Sequence, residues 1–499
     1  MTTHAQKHEL TDVIRIGWCL PFAMFLTLCV FVPSTLSDEP GRSSLQDEFP
    51  ELAAAKPTGR PSRSSKRGST DVQPASVTAQ EEIDSPSPEA LPAEVSDLEF
   101  FGNESASSEW VYDDGRCPDC NANSHFCRTG NDYDSGLLSR CTMWVRPELG
   151  LWWLQGFSVP PLVTTSPFST DRTLAGRLDQ TDTTILYGGD LIANTLRAGG
   201  RIRVGLWFDP CQTRGLDVSY MGLASGDDKF NASSDANPIL ARPFQNVEPS
   251  FVGPDTELVA FPGMLSGSIQ TQNQTSFEVL DVLYRYKTSH NRGESLDFLF
   301  GWRFSRLNDR LSIQDSKTSL DGASGIALGT TIQEQDRFNA RNLFNGMEVG
   351  LIRENYCGCW SWEFMGKMAV GRTNVRTSID GQTTVAVPIN GGLADVSVTP
   401  SGLLAQQSNI GVTDSDFFTV IPEARLGLGY CFTDRFRATL GYTFMYWPGV
   451  ARSGNLIDSQ LNLSQLTPGG LTGAARPTNL PAGSGMWAQG INIGFNYQF

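Results

Sequence analysis

Histidine occurs only four times in 499 residues, at His4, His8, His125 and His290. Ser-His-Asp and metal-histidine chemistry both need a positioned imidazole, and the single histidine beyond residue 142 falls in a candidate turn. No catalytic residue is therefore expected, and the chain reads as a non-enzyme. Charge is also scarce: Asp, Glu, Lys and Arg make up 18%, while glycine (49) and aromatics (10%) are plentiful. That balance favours sheet over long amphipathic helices. Positive charge is the scarcer sign, and the formal net charge of -16 excludes a phosphate-backbone partner such as nucleic acid. It also argues against simple electrostatic attachment to anionic lipid heads. The acidic stretches Asp227-Asp228 and Asp414-Ser415-Asp416 are too short for calcium loops, so neither a metal site nor a cofactor is expected.

The run 14–32 is almost wholly apolar, and Thr35 and Ser37 place small residues before a candidate cleavage ahead of Asp38. This predicts an export signal over residues 1–37, with an uncleaved membrane anchor as the alternative. Residues 38–110 are rich in Pro, Ser, Ala and Glu and predict a disordered linker, in which the basic cluster 60–67 reads as solvated charge. Residues 111–141 form a cysteine-rich neck containing Cys117, Cys120, Cys127 and Cys141. In an oxidising compartment these read as disulfide candidates of unassigned connectivity. Zinc ligation and a redox dithiol are the alternatives, but the second cysteine pair does not repeat the first spacing and no thioredoxin-like context surrounds it.

Beyond residue 142 a period of two dominates. In 296–304, Leu296, Phe298, Phe300, Trp302 and Phe304 share one face while Asp297, Gly301 and Arg303 share the other. Comparable alternation marks 143–153, 200–209, 215–223, 277–287, 343–354, 360–370, 418–430, 436–446 and 487–499. Each segment is about as long as a tilted strand needs to cross a bilayer. Aromatics near the segment ends (Trp152, Trp153, Trp207, Tyr284, Tyr286, Tyr446, Trp447, Trp487) suggest interfacial girdles. Short connections at 209–214, 288–293, 355–358 and 432–434 alternate with long ones at 154–199, 224–276, 305–342, 373–416 and 448–486. Short turns on one side and long loops on the other predict an all-β fold, a closed antiparallel transmembrane β-barrel spanning 142–499. Ten strands are expected, or twelve if a hairpin at 383–387 and 393–398, or the segment 183–187, enters the barrel.

The closing residues Ile491, Ile493, Phe495, Tyr497 and Phe499 alternate with polar or small neighbours to an aromatic carboxyl terminus, resembling the assembly signal of outer-membrane barrels. Several stretches resemble the beta barrel porin-7 family: 146–153 (Arg-Pro-Glu-Leu-Gly-Leu-Trp-Trp), 188–190 (Gly-Gly-Asp), 199–205 with Trp207-Phe208-Asp209, 339–346, 403–411, and the run from Pro422-Glu423 to Gly441-Tyr442-Thr443-Phe444-Met445-Tyr446-Trp447. The resemblance covers about 140–499 and implies a pore in the bacterial outer membrane, without catalytic or binding residues to carry over.

Arg146, Glu148, Arg201, Arg203, Asp217, Asp281, Arg285, Asp297, Arg303, Glu348, Glu363, Lys367, Glu423, Arg425, Arg435 and Arg437 fall on faces opposite the apolar ones and are read as lumen-lining. Facing lipid, such charges would be costly. The reading is a porin-like barrel passing small hydrophilic solutes or ions. The alternative is a salt-bridged plug in a barrel that serves as a structural or surface-recognition scaffold through its long loops. Expected partners are outer-membrane lipid, the barrel assembly machinery during biogenesis and small hydrophilic solutes.

Overall fold

The computed structural model describes residues 142–499 apart from 292, 323, 324, 390, 391, 468, 481 and 482. The expected signal peptide, linker and neck, with Cys117, Cys120, Cys127 and Cys141, lie outside the described residues.

The expected strands form in chain order: β1 (Thr142–Leu154), β2 (Leu196–Trp207), β3 (Arg214–Ser233), β4 (Leu265–Asn291), β5 (Glu294–Ser319), β6 (Thr331–Cys357), β7 (Trp360–Ile389), β8 (Gly411–Cys431), β9 (Phe436–Val450) and β10 (Ser484–Gln498). Each pairs antiparallel with its neighbour in sequence, and β10 pairs with β1, giving one large ring-like sheet. The tight connections are built locally. Between β2 and β3, the Asp209 carboxylate accepts from the backbone N–H groups of Thr213 and Arg214, which fixes the turn. The extra segments add no strand to the ring: residues 383–387 are the upper part of β7, paired with β6. Leu393–Thr399 pairs with the end of β7 and is exposed along its length, while Thr184–Tyr187 pairs with Val163–Thr165 in a separate small sheet. The count is therefore ten, not twelve.

Four strands exceed the expected segments by more than twofold: β4, β5, β6 and β7 have 27, 26, 27 and 30 residues. On β5 the outward side chains run Leu296, Phe298, Phe300 and Trp302, all exposed, and then turn polar through Arg306, Asn308, Arg310, Ser312 and Gln314. Pairing with β6 nevertheless continues without interruption from Glu294 to Thr318. The wall outlasts the apolar band, and alternation of apolar against polar, which marks a strand in sequence, ends where both faces carry polar groups. The same band appears on the neighbours, as Leu280, Val282, Tyr284 and Tyr286 on β4 and Met347, Val349 and Leu351 on β6.

The long connections also contain structure where the sequence pattern predicts only loop. Leu240–Glu248 pairs with Phe251–Ala260, with Val163–Thr165 and, in parallel, with Gln460–Leu461. These segments pack into the tall end of the ring. There Phe157, Val163, Leu240, Val259, Leu403, Leu404 and Leu456 form a buried cluster with Ile269, Leu311, Ile313, Phe338 and Ile379 of the ring wall. Burial of several such side chains, at about 1.5–3 kcal/mol each, holds the connections inside the ring.

Candidate functional site

The interior is the site, because a period of two sends every second side chain of all ten strands to the inside of the ring-like sheet. Register then brings distant charges to a common level. Asp281 lies opposite Arg303 across β4 and β5, Lys367 opposite Glu423 across β7 and β8, and Glu148 opposite Arg201 across β1 and β2.

At the centre, Arg303 holds Asp281 at 2.8 Å and Glu348 at 2.9 Å, and also pairs with Glu423. Lys367 reaches the same three carboxylates at 2.6, 3.4 and 3.5 Å, and Arg201 holds Glu423 at 3.0 Å. Oxygens of Asp281, Glu348 and Glu423 lie within 4.8 Å of one another, close enough to ligate a cation. The guanidinium of Arg303 and the ammonium of Lys367 already take that role. A second group joins Arg146 to Glu363 at 2.7 Å and to Glu148 at 3.0 Å, Arg425 to Glu148 at 2.7 Å and to Glu363 at 3.4 Å, and Arg203 to Asp217 at 2.6 Å. A third joins Arg285 to Asp297 at 2.6 Å and to Glu354 at 3.4 Å. The cations and carboxylates of the interior are matched almost one for one, and nearly all are buried.

Of the sixteen residues read as lumen-lining, the structure brings all but Arg435 to the inner face. Arg435 lies in the exposed turn between β8 and β9, because the strand resumes only at Phe436. Arg437 stands at the end of that face, donating from Nε to Cys431 Sγ at 3.2 Å and lying 4.9 Å over the Tyr356 ring. Glu354 is absent from the expected set. It belongs to the inner face by its ion pair, and it stands at the last position of the expected segment 343–354. Three aromatics assigned to girdles face inward instead. Trp152 lies under Arg201 at 5.8 Å, Trp207 under Arg285 at 5.0 Å, and Trp447 is fully buried. A tryptophan ring serves equally at a lipid interface and beneath a guanidinium. Glycine makes room for these rings: a Cβ on Gly490 would collide with the Trp152 indole, and one on Gly205 with that of Trp144.

Beyond the charges comes an apolar layer. Trp152, Met221, Phe277, Leu307, Phe344, Ile421, Met445, Trp447 and Met486 pack together from strands around the ring. The Trp447 ring centroid lies 6.3 Å from both Phe277 and Phe344, and its Nε1 donates to Thr373 Oγ1 at 3.1 Å. On the other side of the charge layer, a cavity bounded by Arg146, Glu363 and Arg437 holds only about 20 Å³, the space of roughly one water.

Further up, inside the tall wall, a second set of ions lies outside the sequence-based expectation. Arg242 bridges Asp315, at 2.9 Å, and Asp336, and Arg452 pairs with Asp309. Lys317 holds Glu334 at 3.0 Å and pairs with Glu257. The sequence does carry a signal for them. The inward parity of Asp297 and Arg303 on β5 continues through Leu307, Asp309, Leu311, Ile313, Asp315 and Lys317. Glu257 itself stands on the packed-in connection Phe251–Ala260, away from the apolar band. Burial, reinforced by Glu334 and Asp315, pushes its carboxyl up to about 8 despite Lys317. Raising the folded value of Glu257 above its ordinary 4.5 means that the folded state holds a proton the unfolded chain releases. The stabilisation is complete below about pH 4.5 and is lost as pH rises through about 8. Thermal midpoints in detergent should therefore fall between pH 5 and about 8 more steeply in the wild type than in Glu257→Gln, where that carboxyl no longer titrates.

The sequence model of the beta barrel porin-7 family (BBP7) matches residues 144–499, nearly the whole of the ring and its connections. The chain belongs to the beta barrel porin-7 family. No curated protein matches it in sequence. Solved structures similar to this porin-7 member include the outer membrane protease OmpT from Escherichia coli, at 9% identity over 72% of this chain and 97% of that one, with a TM-score of 0.34. A Pseudomonas aeruginosa FadL homologue (6%, 72% and 90%, TM-score 0.20) and an anion-selective porin from Comamonas acidovorans (8%, 72% and 99%, TM-score 0.14) are similar too.

Proposed function

We propose that this porin-7 member is a non-enzymatic β-barrel of the bacterial outer membrane whose interior is closed at rest, and that it works as a rigid scaffold for its tall outer wall and long connections. The observation that carries this reading is the packed apolar layer around Trp447, stacked on a charge layer in which cations and carboxylates pair with one another. A water-filled channel would leave such groups hydrated, and a ring of ten strands lies nearer the size that side chains fill than the size that encloses an aqueous pore. The apolar outer band on β4, β5 and β6 is the lipid-facing surface, with the short turns in the periplasm and the tall wall outside the cell. In β10, Ile491, Ile493, Phe495 and Tyr497 lie on the outward face beside β1 and β9, followed by the exposed Phe499, as a signal for the barrel assembly machinery requires.

Planar-bilayer recordings of the purified protein test the reading: no conductance steps above background are expected, and stable porin-like steps would overturn it. Passage of small hydrophilic solutes or ions is the second reading. It is favoured by the family's porin description and by buried polar atoms such as Arg201 Nε, Thr439 Oγ1 and Asp297 Oδ1, which have no hydrogen-bond partner within the protein and suit trapped water. It requires the Trp447 layer to move aside.

A further inference from the structure

We propose that the outer wall of β4–β7 binds a phosphorylated glycolipid of the outer leaflet, arginines taking its phosphates and a row of side-chain amides taking its sugars. This rests on the outer-membrane reading above. Three chemistries succeed one another up that wall. Lowest is the apolar band, ending on β5 at Trp302 and Phe304. Directly above it, Arg306 and Arg310 of β5, Arg337 and Arg341 of β6, and Arg372 and Arg376 of β7 point outward. Arg306 is paired with Glu278 at 2.7 Å, Arg372 with Asp416, and Arg376 stands 3.9 Å from Asp414. Arg310, Arg337 and Arg341 make no ion pair among the described residues; in the β6–β7 register Arg337 lies opposite Asp380, and Arg341 lies directly opposite Arg376. Like charges opposite each other in a sheet are destabilising, and Asp414 offsets only the Arg376 side of this pair, which leaves Arg341 as the place for an outside anion. The net negative charge of the whole chain does not oppose this, because most of it lies before residue 142, where 22 acidic side chains stand against 11 basic ones, and the belt is local.

Higher still, Asn231, Gln270, Gln314, Gln335 and Gln382 stand opposite one another across five successive strands. They line a concavity of about 620 Å³ together with the hydroxyls of Ser316 and Thr384. Carboxamides both donate and accept, which matches sugar hydroxyls and not phosphate. At about 3.3 Å per residue, the four steps from Arg310 to Gln314 span roughly 13 Å, a distance that a short oligosaccharide covers. The order of apolar band, cationic belt and amide groove is the order of acyl chain, phosphate and sugar in such a lipid. Phosphate recognition by guanidinium is the strong contact, and the amides add selectivity.

The test uses the full chain, first floated with phospholipid vesicles. Failure to float would overturn the membrane reading itself, and it is scored separately from lipid retention. Lipopolysaccharide retained after washing in phosphatidylglycerol-containing detergent is then quantified, with intact and enzymatically dephosphorylated lipopolysaccharide as probes. Retention of the intact probe is expected to fall on the order of tenfold in Arg310→Ala/Arg337→Ala/Arg341→Ala, and as much for the dephosphorylated probe on the wild type. A smaller loss is expected in Gln314→Ala/Gln335→Ala. These side chains are on the outer surface, so the variants should fold, as heat-modifiable gel migration will show. Equal retention by wild type and arginine variant, equal retention of the dephosphorylated probe, or displacement by phosphatidylglycerol alone would each overturn the proposal.

Discussion

Arg303→Ala should destabilise the folded barrel by about 3–5 kcal/mol, read as a shift in the urea midpoint of the purified protein. Arg303 is completely buried, and its guanidinium is shared among Asp281, Glu348 and Glu423. Without it, three carboxylates whose oxygens lie within 4.8 Å of one another keep only Lys367 and, on Glu423, Arg201. A surplus buried charge in a packed interior is the expensive outcome. Adding Glu348→Gln to Arg303→Ala should recover much of the loss, because it removes that surplus. The size of the effect also separates the two functional readings. In a hydrated channel the carboxylates would be screened, and the cost would fall below about 1 kcal/mol, the range of exposed pairs.

Trp447→Ala is the second large effect. The side chain is fully buried between Phe277 and Phe344, so truncation should cost about 3–5 kcal/mol through lost burial and the cavity left behind. That cavity would open in the apolar layer that separates the charge layer from the loop-filled upper end. In a bilayer, a small ion leak absent from the wild type should therefore appear in Trp447→Ala and grow in Trp447→Ala/Phe344→Ala. Trp487→Ala, on the outward face of β10, should leave the membrane as impermeable as before. Loss of stability without any leak would show that the loops packed around Leu240 and Leu404 close the interior on their own.

All ten strands are legible in the amino-acid sequence because lipid-facing and inward positions differ sharply in polarity over about ten residues, as in the alternation from Leu296 to Phe304. Where that contrast disappears, the pattern gives out before the strand does. Above Phe304 the outward residues of β5 are polar and the inward ones mix Asp309 and Asp315 with Leu311 and Ile313, so a tall wall reads as a loop. Parity alone carries the strand further. It also turns Trp152 inward, since Trp152 shares its parity with Arg146 and Glu148. Arg435 fails for the opposite reason: its assignment extends parity past the point where backbone pairing ends.

Alternation is a property of neighbouring residues, so composition and period are enough to settle an all-β chain, the order of its antiparallel strands and most of the charges that turn inward within the apolar band; the tertiary structure fixes the count at ten. Whether those charges meet water or one another is a property of the ring. Arg425 reaches Glu148 across 277 residues of sequence only because β10 pairs with β1, and Leu240 and Phe157 become core only because the tall strands leave an interior for them to fill. Curvature and register decide the distance between opposite walls, and that distance turns a row of lumen charges into a neutral, packed layer.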